Sequence, residues 1–568
     1  MTPERLLAHY DRIADSPDAV LRLRSLVLDL AVRGKLVPQD SREESAPSLL
    51  GRIRSEKRRK GSLRGGGRNQ QEASTPESPF PLPSGWTWSC IADLGFISPR
   101  NDAPDSLPAS FVAMSMISSE YGLPNRHEIR RWGEIKRGYT HFADGDVALA
   151  KITPCFENGK STVLRGLAGG IGSGTTELHV VRPVFVNAYY ILIFLKCRHF
   201  IDMGIPRMTG TAGQKRVPAD YFATSPFPLP PLAEQQRIVA KVNELMVLCD
   251  QLEAARGERE AARDRLTTAT LARLNDPDPV TFPSDARFAL DAIPALTTRS
   301  NQIHGFRQSI LDLAVRGRLV PPLKSELPAQ DFLRRIEAAK IRRATETRDR
   351  RIRASTNPSA GELSIDLPSH WSVQSFENLF LFIDYRGRTP TKVTRGVPLI
   401  TAKNIRMGHL NREPREFIAE STYKSWMTRG VPKIGDLFFT TEAPLANVCA
   451  NGISEPFALA QRVICLQPFD RINSRYFMLA MMSEVVQSMI SRHATGMTAK
   501  GIKAAKLKPL PLPIPPEEEQ DRIVAKVDEL MALCDQLEAS LAKGDEARRR
   551  LLDALLHEAL EAGRSEAA

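Results

Sequence analysis

Apolar residues at Ile238, Val242, Leu245, Cys249 and Leu252 recur at alternating steps of four and three, the spacing that lines one seam of a helix. The same pattern returns at Ile523, Val527, Leu530, Cys534 and Leu537. The two stretches, Arg237–Ala255 and Arg522–Ser540, are identical at 16 of 19 positions and differ at Asn243/Asp528, Val247/Ala532 and Ala255/Ser540. A seam explains five positions. Yet Lys241, Glu244, Gln251 and Glu253 on the outer faces, with Lys526, Glu529, Gln536 and Glu538 in the second copy, are repeated too. A helix face that meets only solvent drifts freely in sequence. The pattern predicts that both faces are occupied, one by the other helix and one by a partner met twice.

The rest of the chain follows the same duplication. LDLAVRGKLVP at Leu28–Pro38 returns as LDLAVRGRLVP at Leu311–Pro321, and LPSGW at Leu82–Trp86 returns as LPSHW at Leu367–Trp371. Leu21–Val37 reads as a helix with Leu23, Leu26, Val27, Leu30 and Ala31 on one face, Gly34 as its cap and Pro38 as its stop. Ile303–Gly317 repeats it. Basic helices are expected around Pro47–Arg59 and within Pro328–Arg353. The first long helix should begin near Glu234, run about 42 residues to Asn275 and span ~63 Å. The second should run from Glu517 to about Ala562, with three glutamates in its first turn, as the helix dipole prefers.

Between the helices lie short apolar runs punctuated by Gly and Pro. DVALAKI (Asp146–Ile152), STVLRG and ELHVVRP read as strands, and NAYYILIFLKCRHFIDMG as one helix. The prolines at 226, 228, 230 and 231 predict a stiff extended lead-in to the long helix. The fold class expected is α+β, with two globular mixed α/β domains, long coiled-coil-like helices and an internal pseudo-two-fold repeat. The expected divisions are 1–60 helical, 61–85 linker, 86–226 first globular domain, 227–355 central helical region, 356–370 linker, 371–511 second globular domain and 512–568 C-terminal helical region. The two globular domains share a frame and little else: the SxW entry, Gly145-Asp146 and Gly435-Asp436 before a strand, Thr209-Gly210 and Thr495-Gly496 followed by lysines, and a Pro-rich exit.

Charge then changes the picture. The 568 residues carry a net charge of +12, which favours an anionic partner. Arg52–Arg68 holds eight Lys/Arg against one acid, and Arg334–Arg353 holds nine against three, at matching places in the two halves. That favours a phosphate-backbone role over two solvated helix faces. Seven cysteines without CxxC spacing predict neither a disulfide framework nor a zinc site. No apolar run reaches membrane-spanning length and no secretory signal opens the chain, so a cytoplasmic protein without membrane contact is expected. Repeated helices carrying unlike domains suggest two unlike DNA half-sites, which lie ~34–36 Å apart per helical turn when read from one face of the duplex.

LDLAVRGKLVPQ, PLPPLAEQQRIVAKVNELM, PLPIPPEEEQDRIVAKVDELM and YRGRTPTKVTRGVPLITAKNI (Tyr385–Ile405) carry a resemblance to the specificity subunits of type I restriction–modification enzymes. It covers nearly the whole chain. The resemblance implies two target-recognition domains separated by an antiparallel pair of long helices. It implies a bipartite, asymmetric double-stranded DNA site, one half read by each domain across a fixed spacer. It implies assembly with two methyltransferase subunits and two restriction/translocase subunits. This chain would then hold no cofactor, with S-adenosylmethionine, ATP and Mg²⁺ in the partners.

By analogy with family loops, and because Arg, Lys, Asn and Gln read base edges while Ser, Thr and Tyr hold phosphates, the candidate DNA-binding residues fall into two sets. In the first domain they are Lys136, Arg137, Tyr139, Lys151, Thr209, Thr211, Gln214, Lys215 and Arg216. In the second they are Tyr385, Arg386, Arg388, Thr389, Lys403, Asn404, Thr495, Thr498 and Lys500. The eight outer-face residues of the repeated helices are the candidates for partner docking.

Several fragments imitate catalytic motifs. FENGKST (Phe156–Thr162) has the GKS of a phosphate loop, but Pro154 falls where the first glycine is required. AGGIGSG (Ala168–Gly174) precedes a strand-like stretch, not a helix, and reads as a plain loop. NDPDP (Asn275–Pro279) lacks the adjacent prolines and aromatic of a base-flipping methyltransferase. Pro104-Asp105 with Glu134-Ile135-Lys136 imitates a nuclease signature, without a counterpart in the second domain. No catalytic or metal-ligating residue is therefore expected; the competing readings are a stand-alone endonuclease or fused methyltransferase, and a DNA-independent scaffold. Replacing Gln214, Lys215 and Arg216 together with Ala is expected to weaken DNA binding without disturbing assembly. Gel-shift and size-exclusion measurements on the same variant check both halves of that statement.

Overall fold

The apolar spacing of the repeat becomes two long helices, Leu232–Asn275 and Glu517–Glu561. The computed structural model describes residues 16, 18–62, 79–211, 213–275, 281, 284, 285, 288, 289, 292, 297, 299–349, 351–353, 358, 360–385, 390–496 and 500–561. Most of the first linker (63–78), much of the turn after Asn275 and part of the second linker (356, 357 and 359) lie outside the described residues.

The buried face of each long helix is wider than a coiled-coil stripe. Ile238 and Val242 are fully buried, but so are Val239 and Met246 nearly, while Leu245 and Leu252 are only half-buried. The cause is what the helix meets. Its first turns pack into the globular core with Trp86, Tyr190 and Phe227, and Ile523 and Val527 do the same with Trp371 and Tyr476. From Cys249 onward the seam leaves the globular core, and Cys249 and Leu252 meet Val20, Leu23 and Leu556. The face expected to meet the other helix thus meets the globular domain over its first turns.

The chain divides into two compact units, Met1–Glu260 with Asp545–Ala568, and Ala261–Gly544, so each division falls inside a long helix. In the first unit the helix Ala19–Val32 runs antiparallel to the first long helix. Arg24 binds Asp250 and Glu253 at 2.6 and 2.8 Å, and Arg237 reaches back to Glu43. Ala19 packs on Leu552 and Leu555, and Lys35 reaches the Leu560 carbonyl, so the tail of the second long helix runs parallel to it. The two long helices are thus antiparallel there. The second unit repeats the arrangement with helix Ser300–Val315: Arg307 binds Asp535 and Glu538 at 2.7 and 2.8 Å, while Phe306 packs on Leu271 and Leu274.

The repeated LDLAVRG motif docks each globular domain. The helix ends earlier than expected, at Val32, in a turn with Gly34 at φ +67°; Gly317 has φ +66°. A Cβ at either glycine would lie 2.4 Å from the ring of Pro83 or Pro368, the proline of the repeated LPSxW. The motif's aspartate does the rest. Asp29 accepts from the Arg198 amide at 3.0 Å, and Asp312 from the Glu484 amide at 2.8 Å. Each caps a helix of its domain, Arg198–Gly204 and Glu484–His493. This also breaks the expected helix at 187–204 in two: Ala188–Lys196 ends at Cys197, which is extended, and a capped second helix begins.

The two globular domains share the strand order of one sheet and differ in the order of the other. In the first, a four-stranded antiparallel sheet runs in the order Gly95–Ile97, Leu178–Pro183, Val147–Ala150 and Ser161–Val163. In the second the order is Phe380–Asp384, Val463–Pro468, Leu437–Thr441 and Leu445–Ala450. A second sheet in each holds a parallel pair, Pro108–Val112 with Ile171–Gly174 and Val397–Ile400 with Ala458–Leu459. Ile171–Gly174 is therefore not a plain loop. A Cβ on Gly172 would lie 2.3 Å from the Ser110 carbonyl, so its glycines serve close strand approach. The proline-rich exits are strands as well: Pro226–Leu229 pairs with Thr87–Cys90, and Pro511–Ile514 with Ser372–Ser375, in the same register.

Burial lifts Asp29 to about 6, from an ordinary value near 4, against the lowering effect of the amides it caps. A raised carboxylate contributes stability that is present at low pH and lost as pH rises through its folded value. Asp29→Asn, which keeps an acceptor and cannot ionise, is expected to gain on the native chain as pH rises from about 4 to about 7. Asp29→Ala, which loses the cap, should cost about 1–2 kcal/mol. Urea melts of both variants across that range provide the measurement.

Candidate nucleic-acid interface

TGTAGQKR folds into a tight hairpin because its ends pair: the Thr209 amide donates to the Arg216 carbonyl at 3.0 Å and the Arg216 amide returns the bond at 2.8 Å. Gly210 turns the chain at φ +126°, where a Cβ would lie 2.8 Å from the Gln214 carbonyl. Thr209, Thr211, Gln214 and Lys215 are consequently exposed. Lys151 is brought beside the hairpin, its carbonyl accepting from Val217 at 2.8 Å and its amide donating to Glu177 at 3.0 Å.

The second domain builds the same device. Thr495 and Gly501 exchange backbone hydrogen bonds at 2.9 Å each, and Gly496 turns at φ +120°. Thr495 and Lys500 are exposed. So are Lys503 and Lys506, at the cap and on the short helix Ala504–Leu507 that follows. These two were not singled out, although the lysines after Thr495-Gly496 were visible in the sequence.

The remaining candidates lie elsewhere or are already occupied. Lys136, Arg137 and Tyr139 belong to the edge of the other sheet, where Lys136 pairs with Asp105 at 2.5 Å, Arg137 is exposed and Tyr139 packs edge-on to Phe111. Glu134 and Ile135 sit on a helical turn, Trp132–Ile135, so Glu134 and Lys136 diverge around the axis and do not form the nuclease arrangement. Tyr385 is a core residue: it is 5% exposed, stacks on Trp426, donates to the Gly430 carbonyl and is pushed up to about 12 by burial. Asn404 is 1% exposed and spends its amide on the Thr401 amide and hydroxyl and on the Asn411 and Pro414 carbonyls. Neither can offer a group to DNA, and their expected role is corrected to loop construction. Lys403 stays exposed, 3.9 Å from Glu416. Arg386, Arg388, Thr389 and Thr498 lie outside the described residues.

The basic helices, Ala46–Ser62 and Ala329–Thr347, engage some of their cations with groups of the fold. Arg54 pairs with Asp93 at 3.0 Å, Arg335 with Asp470 at 3.4 Å, Lys340 donates to Asn378 and Arg343 to Gln467 at 2.6 Å each. These fasten the helices to the globular domains.

On the long helices, Lys241–Glu244 and Lys526–Glu529 pair along one face at 2.8 Å, and Gln251 and Gln536 are exposed. Glu253 and Glu538 hold Arg24 and Arg307, so at those two positions repetition has an internal cause. Val247, Leu248 and Leu533 are large exposed apolar groups on the same stretches. The difference Asn243/Asp528 has a local cause: Asn243 accepts from the Tyr121 hydroxyl at 3.0 Å, while Asp528 meets Arg475 at 2.7 Å. Among the described residues no group of three or more side chains could hold a metal ion, and no helix is long and apolar enough to cross a membrane.

Residues 397–543 match the family model of the type I restriction modification DNA specificity domain. The specificity subunit of the type I restriction enzyme EcoEI of Escherichia coli is 34% identical over 566 residues, 95% of this chain and 94% of that one. The EcoAI specificity subunit of the same organism is 34% identical over 557 residues, with the same coverage of both. A crystal structure of the HsdS subunit from Thermoanaerobacter tengcongensis aligns over 85% of this chain and 98% of that one, with a TM-score of 0.45 and 21% identity.

Asn404→Ala should lower stability by roughly 1–3 kcal/mol, the cost of leaving buried backbone groups unpaired. Lys403→Ala should leave the melting temperature unchanged and weaken DNA binding. Thermal melts and salt-titrated binding of the two variants separate loop building from phosphate contact.

Proposed function

This chain belongs to the family of type I restriction enzyme specificity subunits, and we propose that it gives a restriction–modification complex a bipartite, asymmetric DNA sequence, one half read by each globular domain. One observation carries the reading: two domains that share the strand order of one four-stranded sheet but are unlike in sequence are mounted on near-identical helices. A duplicated mount is suited to two copies of one partner, and unlike heads to two different sequences. Each head offers an exposed hairpin with a lysine at its base, Lys215 and Lys500. Such groups supply phosphate contact and base-edge donors together.

On this proposal the outer faces of the long helices dock two methyltransferase subunits, through Lys241, Gln251, Lys526 and Gln536 with the exposed Val247, Leu248 and Leu533. Two restriction/translocase subunits complete a cytoplasmic complex. S-adenosylmethionine, ATP and Mg²⁺ serve the chemistry of those partners, and this subunit supplies the address.

Mapping methylated bases in host DNA with and without this gene should reveal a split, non-palindromic motif that depends on it. Exchanging Trp86–Pro226 for another such domain should alter one half of that motif and leave the other. A continuous palindrome, or methylation by the purified chain alone, would refute the proposal. Binding that does not weaken as salt rises would point to a scaffold for proteins instead.

A further inference from the structure

In each globular domain three chain segments converge at the base of the hairpin, and in each an ion pair spans two of them. The first segment follows the strand that begins after the shared Gly-Asp, and contributes Ile152 in one domain and Glu442 in the other. Each lies six residues beyond its aspartate, Asp146 or Asp436. The second is the residue just before the central strand, Glu177 or Arg462. The third is the closing residue of the hairpin, Arg216 or Gly501. Ile152 pairs with Arg216, and Glu442 with Gly501, as isolated antiparallel bridges.

In the first domain Arg216 grips Glu177: Nε lies 2.9 Å from Oε2 and 3.1 Å from Oε1, and Nη2 lies 2.9 Å from Oε1. Its Nη1 donates to the Gln214 carbonyl within the hairpin at 3.0 Å. In the second domain Arg462 binds Glu442 at 3.1 Å. The pair occupies the same corner of the fold, yet the position before the central strand is acidic in one domain and basic in the other. A residue that reads DNA cannot change sign and keep its job. A latch can, because only the product of the two charges matters. Arg216 also has few donors left for a phosphate, and it holds the Glu177 carboxyl below the usual carboxylate range.

We infer that Glu177–Arg216 and Glu442–Arg462 are one device in two polarities: a latch that fixes the recognition hairpin, so that Arg216 positions the DNA-reading residues and does not itself read. This rests on the proposed DNA-binding role of the hairpins, and it assigns the reading to Thr211, Gln214 and Lys215.

The test transplants the second domain's latch into the first, as Ile152→Glu, Glu177→Arg and Arg216→Gly in the full chain, beside the single variant Glu177→Ala. Hydrogen exchange without DNA reads the latch directly. Glu177→Ala should speed exchange of the Thr209 and Arg216 amides about tenfold, and the triple variant should return it to near the native rate. Affinity for the mapped motif should fall about tenfold in Glu177→Ala and recover in the triple variant. Unchanged protection at Thr495 and Gly501 shows that each variant has folded. Unaltered hairpin protection in Glu177→Ala overturns the latch, and so does a triple variant with protection restored but binding still lost, which would make Arg216 a DNA contact. Absence of sequence-specific binding by the native chain would instead sink the DNA-reading role and leave the exchange rates to decide the latch.

Discussion

A repeated scaffold that must hold unlike domains can touch them only through groups that every domain possesses. The contacts made by the repeat obey that constraint. Asp29 and Asp312 grip backbone amides at the start of a helix. Tyr190 and Tyr476 donate to the carbonyls of Pro228 and Pro513 at 2.9 and 3.0 Å, in the exit strands that lead into the scaffold. Gly34 and Gly317 press on the repeated prolines at the domain entrances. None of these interactions depends on which side chains a domain carries on its far surface, so the domain is free to diverge there. The cost is a buried carboxylate in each unit. It is tolerable because two donors point at it and the helix start favours negative charge.

At one point where the scaffold touches a polar side chain of its domain, the repeat breaks. Position 243/528 is one of three differences in nineteen residues, and it is where Tyr121 meets Asn243 in one unit and Arg475 meets Asp528 in the other. The entrance shows the same accommodation. Glu234 receives Trp86 and Gln39, whereas Glu519 receives His370. The difference at 243/528 therefore marks a contact to a group private to each domain. The charge reversal at the hairpin base belongs to the same logic, within the domains themselves.

The helices were legible because a period of three and four over five positions admits few alternatives, and because the repeat tested each assignment twice. The strands Val147–Ala150 and Leu178–Pro183 were legible as apolar runs. The sheet order that the two domains share was not: buried strands need apolar residues but no particular ones, so two sequences can fill one sheet order without matching. The helix break at Cys197 was hidden because its cause, Asp29, lies 169 residues earlier. Tyr385 and Asn404 misled for a related reason. A polar residue in a loop looks the same in sequence whether it faces solvent or holds the loop together, and Asn404 does the latter. Arg216 looked like a free cation because Glu177, its partner, is 39 positions away.

The same distinction governs how net charge is to be understood. An excess of +12 says that an anion is welcome but not where. In physiological salt a cation acts over about 8 Å, so each must be judged by its neighbours. Judged that way, part of the densest basic runs in the sequence is already engaged within the fold. Arg54, Arg335, Lys340 and Arg343 already face a carboxylate or an amide oxygen of the domain they support. Lys215, Lys500, Lys503 and Lys506 are fewer and more scattered along the chain, yet they stand exposed at the two hairpins. Folding thus spends part of the concentrated charge on construction, while the dispersed lysines of the hairpins stay exposed.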